Sequence, residues 1–595
     1  MRNAETCLTV IRKRGEQRLP IDDLYRQLFN PLLYLQAYGK ISRNAGAMTP
    51  GSTPETVDGM SLAKIHGIID AVRHERYRFR PVRRTYIPKT NGKVRPLGIP
   101  TWSDKLLQEV IRMLLEAYYE PQFSDCSHGF RPERGCHTAL RQVYHHWRGT
   151  VWFIEGDIRG CFDSIDHEVL LSILRENIRD NRFVRLLASL LKAGYLEDWK
   201  YYGTPSGTPQ GGIVSPILAN IYLDRLDHFI ESELLPDYNH GSTRTANRPY
   251  RNIFFQQRYW RLKGDAEKAH ALRKQMQKLP SVHLDDPTYR RLKYIRYADD
   301  FLLGFVGTKT EAEQIKQQLA TFLQTQLRLE LSEDKTLVTH ARSDAARFLG
   351  YDVTMTHDDR KHTKGRRSVN GVVSLRVPKD VIHTKCQPYL KHGEPMHRSE
   401  LLNHSVYDII AQYQWEYRGI VNFYRMAHNL RDLDRLKGVM QRSLVKTLAG
   451  KLRISPPTVY QQYREVIHTK DGHLLSSLAV TIERAGKRPL VARWGGIPLT
   501  WSMHVTLDDT PVRFWSANTT SLVERLLADT CELCGSHDGV QVHHIRAMKD
   551  LKTMGRTVKP LWVQVMAARS RKTLVLCHSC HVNVHAGRPQ PLTEV

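Results

Sequence analysis

The chain has 595 residues, room for three or more domains, and carries 88 Lys and Arg against 61 Asp and Glu, a net charge of +27. So large a basic excess points to a polyanionic partner, bound in a salt-sensitive way. No apolar run approaches the roughly 18 residues of a membrane span, and the first residues (MRNAETCLTVIRKRGEQ) lack the apolar core of a secretory signal, while Glu5 and Glu16 weaken a transit-peptide reading. Nine unevenly placed cysteines argue against a disulfide framework and for a reducing compartment.

In chain order, Leu24, Leu28, Leu32, Leu33 and Leu35 predict a helical stretch over 22–38, followed by a Gly/Thr/Pro loop over 45–59. Residues 86–100 read as a strand, an Asn91-Gly92 turn and a second strand. That hairpin carries Lys89, Lys93 and Arg95, which can neutralise a triphosphate or form a solvated charged surface. Val151 to Ile154 (VWFI) predict a short buried strand that delivers Asp157 at its end, with Phe162 five residues on. Asp163 and Asp166 read as loop and helix-start residues. A Gly/Pro loop over 207–216 (GTPQGGIVSP) runs into an apolar helix over 217–226; its glycines permit close backbone approach to a ligand, and Ser215-Pro216 suits a helix start. Residues 236–291 are long, basic and aromatic (Arg251, Phe254, Phe255, Tyr259, Trp260), which fits either base stacking or a packed insertion helix.

The frame LKYIRYADDFLLGF, residues 292–305, reads as a hairpin with Asp299 and Asp300 at its turn. Taken alone, an Asp-Asp pair is more often an acidic turn. Two like charges set side by side in an apolar frame are costly unless a divalent metal neutralises them. Mg²⁺ sites for phosphates use one or two such carboxylates, and two-metal nucleotidyl transfer needs a third acid, for which Asp157 is the candidate. Downstream lie LSEDKT (331–336, containing Lys335), FLGY (348–351) and a basic polar loop over 357–369. Residues 376–470 read as helical, with Ile409, Tyr413, Tyr417 and Val421 and then Leu436, Met440 and Leu444 at three- and four-residue steps and a basic outer face. Near the end, Cys531-x-x-Cys534 and Cys577-x-x-Cys580 fit a closed tetrahedral Zn²⁺ site, with redox or chance pairing as the alternatives. Between the knuckles stands His543-His544, and His581 and His585 share a helix face at i and i+4.

Set in this order, the blocks SHGFRP (127–132), EGDIRGCFDS (155–164), PQGGIVSP (209–216), YADD (297–300), LSEDKT and FLGY resemble those of group II intron-encoded reverse transcriptases and maturases over nearly the whole chain. The resemblance implies that Asp157, Asp299 and Asp300 bind Mg²⁺ and that Phe162 lies under the sugar and excludes a 2′-hydroxyl. It implies that Gln210 contacts the incoming nucleotide and that Lys335 protonates the leaving pyrophosphate. The C-terminal layout resembles HNH (ββα-metal) endonucleases, which implies that His543, His581 and His585 hold a divalent metal and that His544 is the general base. One departure stands out: the family's middle Asn falls on Lys572.

The expected fold is α/β and multidomain. It comprises an N-terminal extension (1–60), right-hand polymerase fingers and palm (61–360), a helical thumb or maturase domain X (376–470), a DNA-binding linker region (471–525) and a zinc-containing HNH module (526–595). The expected function is RNA-directed DNA polymerisation, assistance of intron splicing, and nicking of target DNA for target-primed reverse transcription. The partners implied are intron RNA, double-stranded target DNA and dNTPs, with no membrane, in the bacterial cytoplasm or nucleoid or in an organelle. Competing readings are a splicing-only maturase with an inactive nuclease, or another bacterial reverse transcriptase class. The intact Asp157, Asp299, Asp300 and Gln210 weigh against the first, and the X domain fused to an HNH module against the second.

Overall fold

Five strands form the central sheet, in the order Ser127–His128, Arg291–Tyr297, Asp300–Val306, Trp152–Asp157 and Val338–His340. In the computed structural model the described residues are 3–588, apart from 45, 89–91, 93, 198–199, 205, 208–210, 284–285, 359–360, 364–365, 368–369, 469–473, 485, 505–520, 552–558 and 570. Arg291–Tyr297 and Asp300–Val306 are the two arms of the expected hairpin, and Asp300–Val306 also runs antiparallel to Trp152–Asp157, which sets Asp157 opposite Asp300.

Side chains alternate across these strands, so both faces are buried. Phe301, Leu303, Phe305 and Ile154 enter one core with helices Ser215–Phe229 and Lys309–Leu327. Phe153, Ile295 and Leu302 enter a second core with helix Cys136–His146 and the sheet Ala346–Phe348, Tyr351–Thr356, Val372–Arg376. Gly156 lets the two inner strands close up, because a Cβ there would meet the Phe301 ring at 2.1 Å.

Beneath the hairpin turn lies a buried ion pair. Arg296 is fully enclosed and donates to Asp227 Oδ1 at 2.8 Å, Asn220 Oδ1 at 3.2 Å, Ser127 Oγ at 2.8 Å and the Ala298 carbonyl at 2.9 Å. Tyr294 donates its hydroxyl to Asp227 Oδ1 at 2.7 Å. Ala298 itself is left-handed (φ 56°), a conformation that costs a Cβ-bearing residue about 1–2 kcal/mol. Its N–H bond to the His128 carbonyl at 3.0 Å and the Arg296 bond to its own carbonyl hold it there.

The basic hairpin forms as expected, Val82–Pro88 against Val94–Ile99, and joins Tyr195–Glu197 and Lys200–Tyr202 in a four-stranded sheet. The 236–291 segment contains helices Arg248–Leu262 and Ala266–Met276. The first buries no residue, and Phe255 and Tyr259 are each 53% exposed, so it is not a packed core helix. Residues 357–369, expected as a loop, contain the small antiparallel ladder His362–Thr363 with Arg366–Arg367.

Helices Val406–Phe423 and Asp434–Leu452 carry the expected periodic stripes. The 376–470 stretch is not wholly helical, however. Arg464–His468 is a strand that pairs with Leu474–Arg484, which pairs in turn with Lys487–Gly495. The sheet lies across residue 470 and packs Leu478, Ala492 and Trp494 into the helical core, while Gln414 exchanges two bonds of 2.9 Å with the Gly495 backbone. The N-terminal helix Pro31–Ile41 and the C-terminal helix Ser521–Leu527 share one core, and Met60 bridges Val542 in antiparallel fashion. No described helix is long and apolar enough to cross a membrane.

Asp227→Ala should destabilise the central sheet by about 3–5 kcal/mol, because it strands a buried guanidinium. The paired replacement Arg296→Met with Asp227→Leu should be milder. Calorimetric melting of both variants checks this, and an Asp227→Ala melt like that of the native chain contradicts it.

Candidate functional site

Asp157 ends its strand, Asp300 begins the facing one, and Asp299 occupies the turn between the hairpin arms, so register alone brings the three acids to one edge of the sheet. Surrounding protein, then Asp299, then Asp157 push the Asp300 carboxyl up to about 7, although one side of the residue stays exposed. Burial, and after it the charge of Asp157, raise Asp299; Arg95 and Lys335 act in the opposite sense. Three oxygen donors that resist joint ionisation suit a hard divalent cation such as Mg²⁺.

Lys335 Nζ stands 2.9 Å from Asp157 Oδ2. Ser332 anchors that segment by donating its N–H to the Asp157 carbonyl at 2.8 Å, and the Lys335 N–H returns to the Ser332 carbonyl at 3.1 Å. The hydrogen bond to Asp157, and then that acid's charge, raise the Lys335 pKa and keep the ammonium protonated. Phe162 is half-buried in the short helix Cys161–Ser164 and meets Phe130 edge to face at 6.2 Å. Against it lies the glycine loop, whose Gly207 N–H bonds the Ile165 carbonyl at 2.7 Å. Gly211 (φ 100°) lies so close to the basic hairpin that a Cβ there would sit 2.5 Å from the Gly98 carbonyl oxygen. Asp166 caps helix His167–Asn177, as a helix-start residue should. Lys89, Lys93 and Gln210 lie outside the described residues.

The C-terminal module has the ββα form, with strands Gln541–His544 and Thr573–Leu576 antiparallel and helix His578–His585 following. Cys531, Cys534, Cys577 and Cys580 converge with their sulfurs within 4.8 Å of one another, none of them in a disulfide. Four thiols gathered this closely, three of them buried, suit Zn²⁺.

A second cluster joins His543, His581 and His585. His543 projects from the strand and the other two from one face of the helix. Gln541 Oε1 stands 2.8 Å from His581 Nδ1, leaving Nε2 to face the centre. Both ring nitrogens of His543 are buried without a hydrogen-bond partner, which leaves one free to serve as a metal ligand. His544 points the other way, its Nε2 3.3 Å from the Tyr38 hydroxyl, and burial pushes it down to about 4, so it stays a neutral imidazole. Lys572 is exposed, but its backbone carbonyl accepts the Ile545 N–H at 3.0 Å and so holds the loop next to His544.

Sequence reasoning missed Asp58. This acid comes from the N-terminal loop and sits among the three histidines, with its Oδ1 accepting the His544 N–H at 2.8 Å. A lone Asp in a Gly/Thr/Pro loop carries no local signal for such a role.

Comparison with known proteins gives three family matches along the chain: reverse transcriptase (RNA-dependent DNA polymerase) over 87–353, type II intron maturase over 372–477, and AI2M/AI1M-like HNH endonuclease over 531–581. The group II intron-encoded protein LtrA of Lactococcus lactis subsp. cremoris is 39% identical, covering 94% of this chain and 95% of the relative. The uncharacterized 91 kDa protein in the cob intron of Schizosaccharomyces pombe is 34% identical over 97% of this chain and 71% of its own length. The putative COX1/OXI3 intron 2 protein of Saccharomyces cerevisiae is 31% identical over 93% and 65%.

Because protons and a cation compete for Asp300, metal affinity at the three acids should fall as pH drops from 8 to 6 through its value of about 7. The check is Mn²⁺ binding counted by electron paramagnetic resonance, taking only the portion that Asp299→Asn abolishes. An affinity independent of pH across that window contradicts the electrostatics described.

Proposed function

As the chain belongs to the group II intron-encoded reverse transcriptases and maturases that carry a C-terminal HNH endonuclease domain, we propose how its residues divide that family's work. The protein is an RNA-directed DNA polymerase, a maturase for its intron and an endonuclease in one chain. In our reading residues 1–60 are the extension, 61–360 the fingers and palm, 376–470 the thumb or X domain, and 471–525 the DNA-binding linker region, the two sharing the three-stranded sheet. The HNH module begins near 526.

The observation that carries the polymerase reading is the register that opposes Asp157 to Asp300, with Asp299 beside them and Lys335 above. These three acids would hold Mg²⁺, which when bound supplies charge stabilisation to the attacking and leaving oxygens. Lys335, kept protonated by Asp157, gives its proton to the departing pyrophosphate. Arg95, together with Lys89 and Lys93, neutralises the triphosphate, and Gln210 and the close-packed glycine loop contact the nucleotide. Phe162, fixed by Phe130, presents its ring to C2′ of the sugar.

In the nuclease, the four cysteines hold a structural zinc, and His543, His581 and His585 hold the divalent metal. His544, neutral because buried, takes the proton from the attacking water once the Tyr38 contact is released. The nick then provides the 3′ end from which the polymerase copies the intron RNA. Intron RNA is met by basic, aromatic surface such as helix Arg248–Leu262, where Phe255 and Tyr259 are exposed to stack on bases. In our reading the setting is the bacterial cytoplasm and nucleoid or an organelle.

Asp299→Ala should abolish primer extension on an RNA template while leaving precursor splicing intact, since splicing uses binding surfaces rather than acids. Extension at the native rate would sink the assignment. Phe162→Val should raise ribonucleotide incorporation relative to deoxyribonucleotides, and an unchanged ratio in a competition assay would exclude it as the sugar gate.

A further inference from the structure

The His543, His581 and His585 cluster is completed by an acid from the opposite end of the sequence. Asp58 Oδ2 lies 2.8 Å from His585 Nε2, and its Oδ1 lies 3.3 Å from His581 Nε2 and 3.5 Å from His543 Nδ1. The contact is built, not grazing. The Gly59 N–H bonds the Val542 carbonyl at 3.0 Å and the Val542 N–H bonds the Met60 carbonyl at 2.9 Å, so residues 59 and 60 add a short strand to the free edge of the nuclease hairpin. Gly59 adopts the left-handed φ (74°) that turns Asp58 inward. The Asp58 side chain is 14% exposed.

The convergence of ring nitrogens makes this more than a single ion pair. Gln541 sets its amide by facing Nε2 to His578 Nδ1 (3.2 Å) and Oε1 to His581 Nδ1 (2.8 Å). With Nδ1 of His581 turned to Gln541, its Nε2 faces the carboxylate oxygen of Asp58 and, at 3.2 Å, Nε2 of His585. Three imidazoles and a carboxylate whose ligand atoms converge within 4.8 Å of one another suit a shared cation. The same cation would take His543 Nδ1, the ring nitrogen that faces Asp58.

We propose that Asp58 is a protein ligand of the nuclease-domain metal, so that this metal site is assembled from both ends of the chain. The proposal rests on the reading of His543, His581 and His585 as metal ligands. It adds a hard anionic oxygen to three imidazoles, and it takes a coordination position that three histidines alone would leave to a water or a DNA phosphate.

The test uses the full chain with its cysteine site filled by zinc, titrated with Co²⁺ and followed by calorimetry and by the visible d–d bands of the ion. The native chain should bind one Co²⁺ that His581→Ala removes. Asp58→Ala should weaken that binding at least about tenfold, the floor set by losing even a hydrogen-bond partner of a ligand. Asp58→His, which keeps a ligand atom, should retain most of the affinity but shift the bands. Binding by Asp58→Ala with native affinity and an unchanged spectrum would overturn the proposal. Native protein with no His581-dependent Co²⁺ would instead overturn the histidine-site reading beneath it. Zinc content and melting temperature report whether Asp58→Ala still folds. If it does not, Asp58→Asn, which can still accept the His544 N–H, carries the same comparison.

Discussion

Arg296 directs its guanidinium wholly into the protein, and the geometry of the acidic edge follows from where those bonds go. One reaches Ser127 on the outer strand, others reach Asp227 and Asn220 on the helix behind the sheet, and one reaches the Ala298 carbonyl in the turn that carries Asp299. Three sequence blocks far apart in the chain are thereby fixed to one planar group. That rigidity matters because the acids repel one another: a looser turn would let Asp299 and Asp300 swing toward water and relieve the repulsion that readies them for a cation. The pair is a weak source of net stability, since its desolvation roughly offsets its attraction, and its value lies in the geometry it enforces.

The polymerase edge was largely legible in the sequence because its parts are local. An acid at the end of an apolar run, two acids at a tight turn, a Ser-Pro helix start and an Asn-Gly hairpin each announce themselves within a few residues. Strand register then did what no single motif could, putting Asp157 across from Asp300. The sheet built from Arg464–His468, Leu474–Arg484 and Lys487–Gly495 was hidden for the opposite reason. Its first strand follows directly on helix Pro456–Tyr463 and is too short to show a period, and its stability comes from Trp494 and Gln414 contacts made only in three dimensions. Asp58 was hidden more completely: its neighbours in sequence are ordinary loop residues, and its partners lie at the far end of the chain.

Three candidate cation sites in one chain differ in donor type. The acidic sheet edge offers carboxylate oxygens, the cysteine group thiols, and the histidine cluster mostly imidazoles with one carboxylate. Hard, flexible oxygen sites favour Mg²⁺ and release it readily, thiolate sites retain zinc, and mixed nitrogen and oxygen sites lie between. On the proposed assignments, this division would let the protein retain a structural ion while exchanging the others with solution. The basic surface follows a similar economy: on the inserted helices the Lys268 ammonium sits 4.4 Å from the Trp260 ring and Lys263 5.9 Å from Tyr259, so cations and stacking faces are already interleaved before any RNA arrives.

The bridge between Met60 and Val542 also orders events during biosynthesis. Met60 leaves the ribosome roughly 480 residues before Val542, an interval on the order of 25–100 s at ordinary elongation rates. Throughout that time Trp102 can already pack against Tyr38 and Met60, but the side that meets Val542 and His544 waits for its cover. A chaperone or nascent intron RNA has that window in which to engage the N-terminal extension before the nuclease module emerges and closes over it. A ribosome that stops short of the nuclease module would release a polymerase with that side of Tyr38 and Met60 still uncovered.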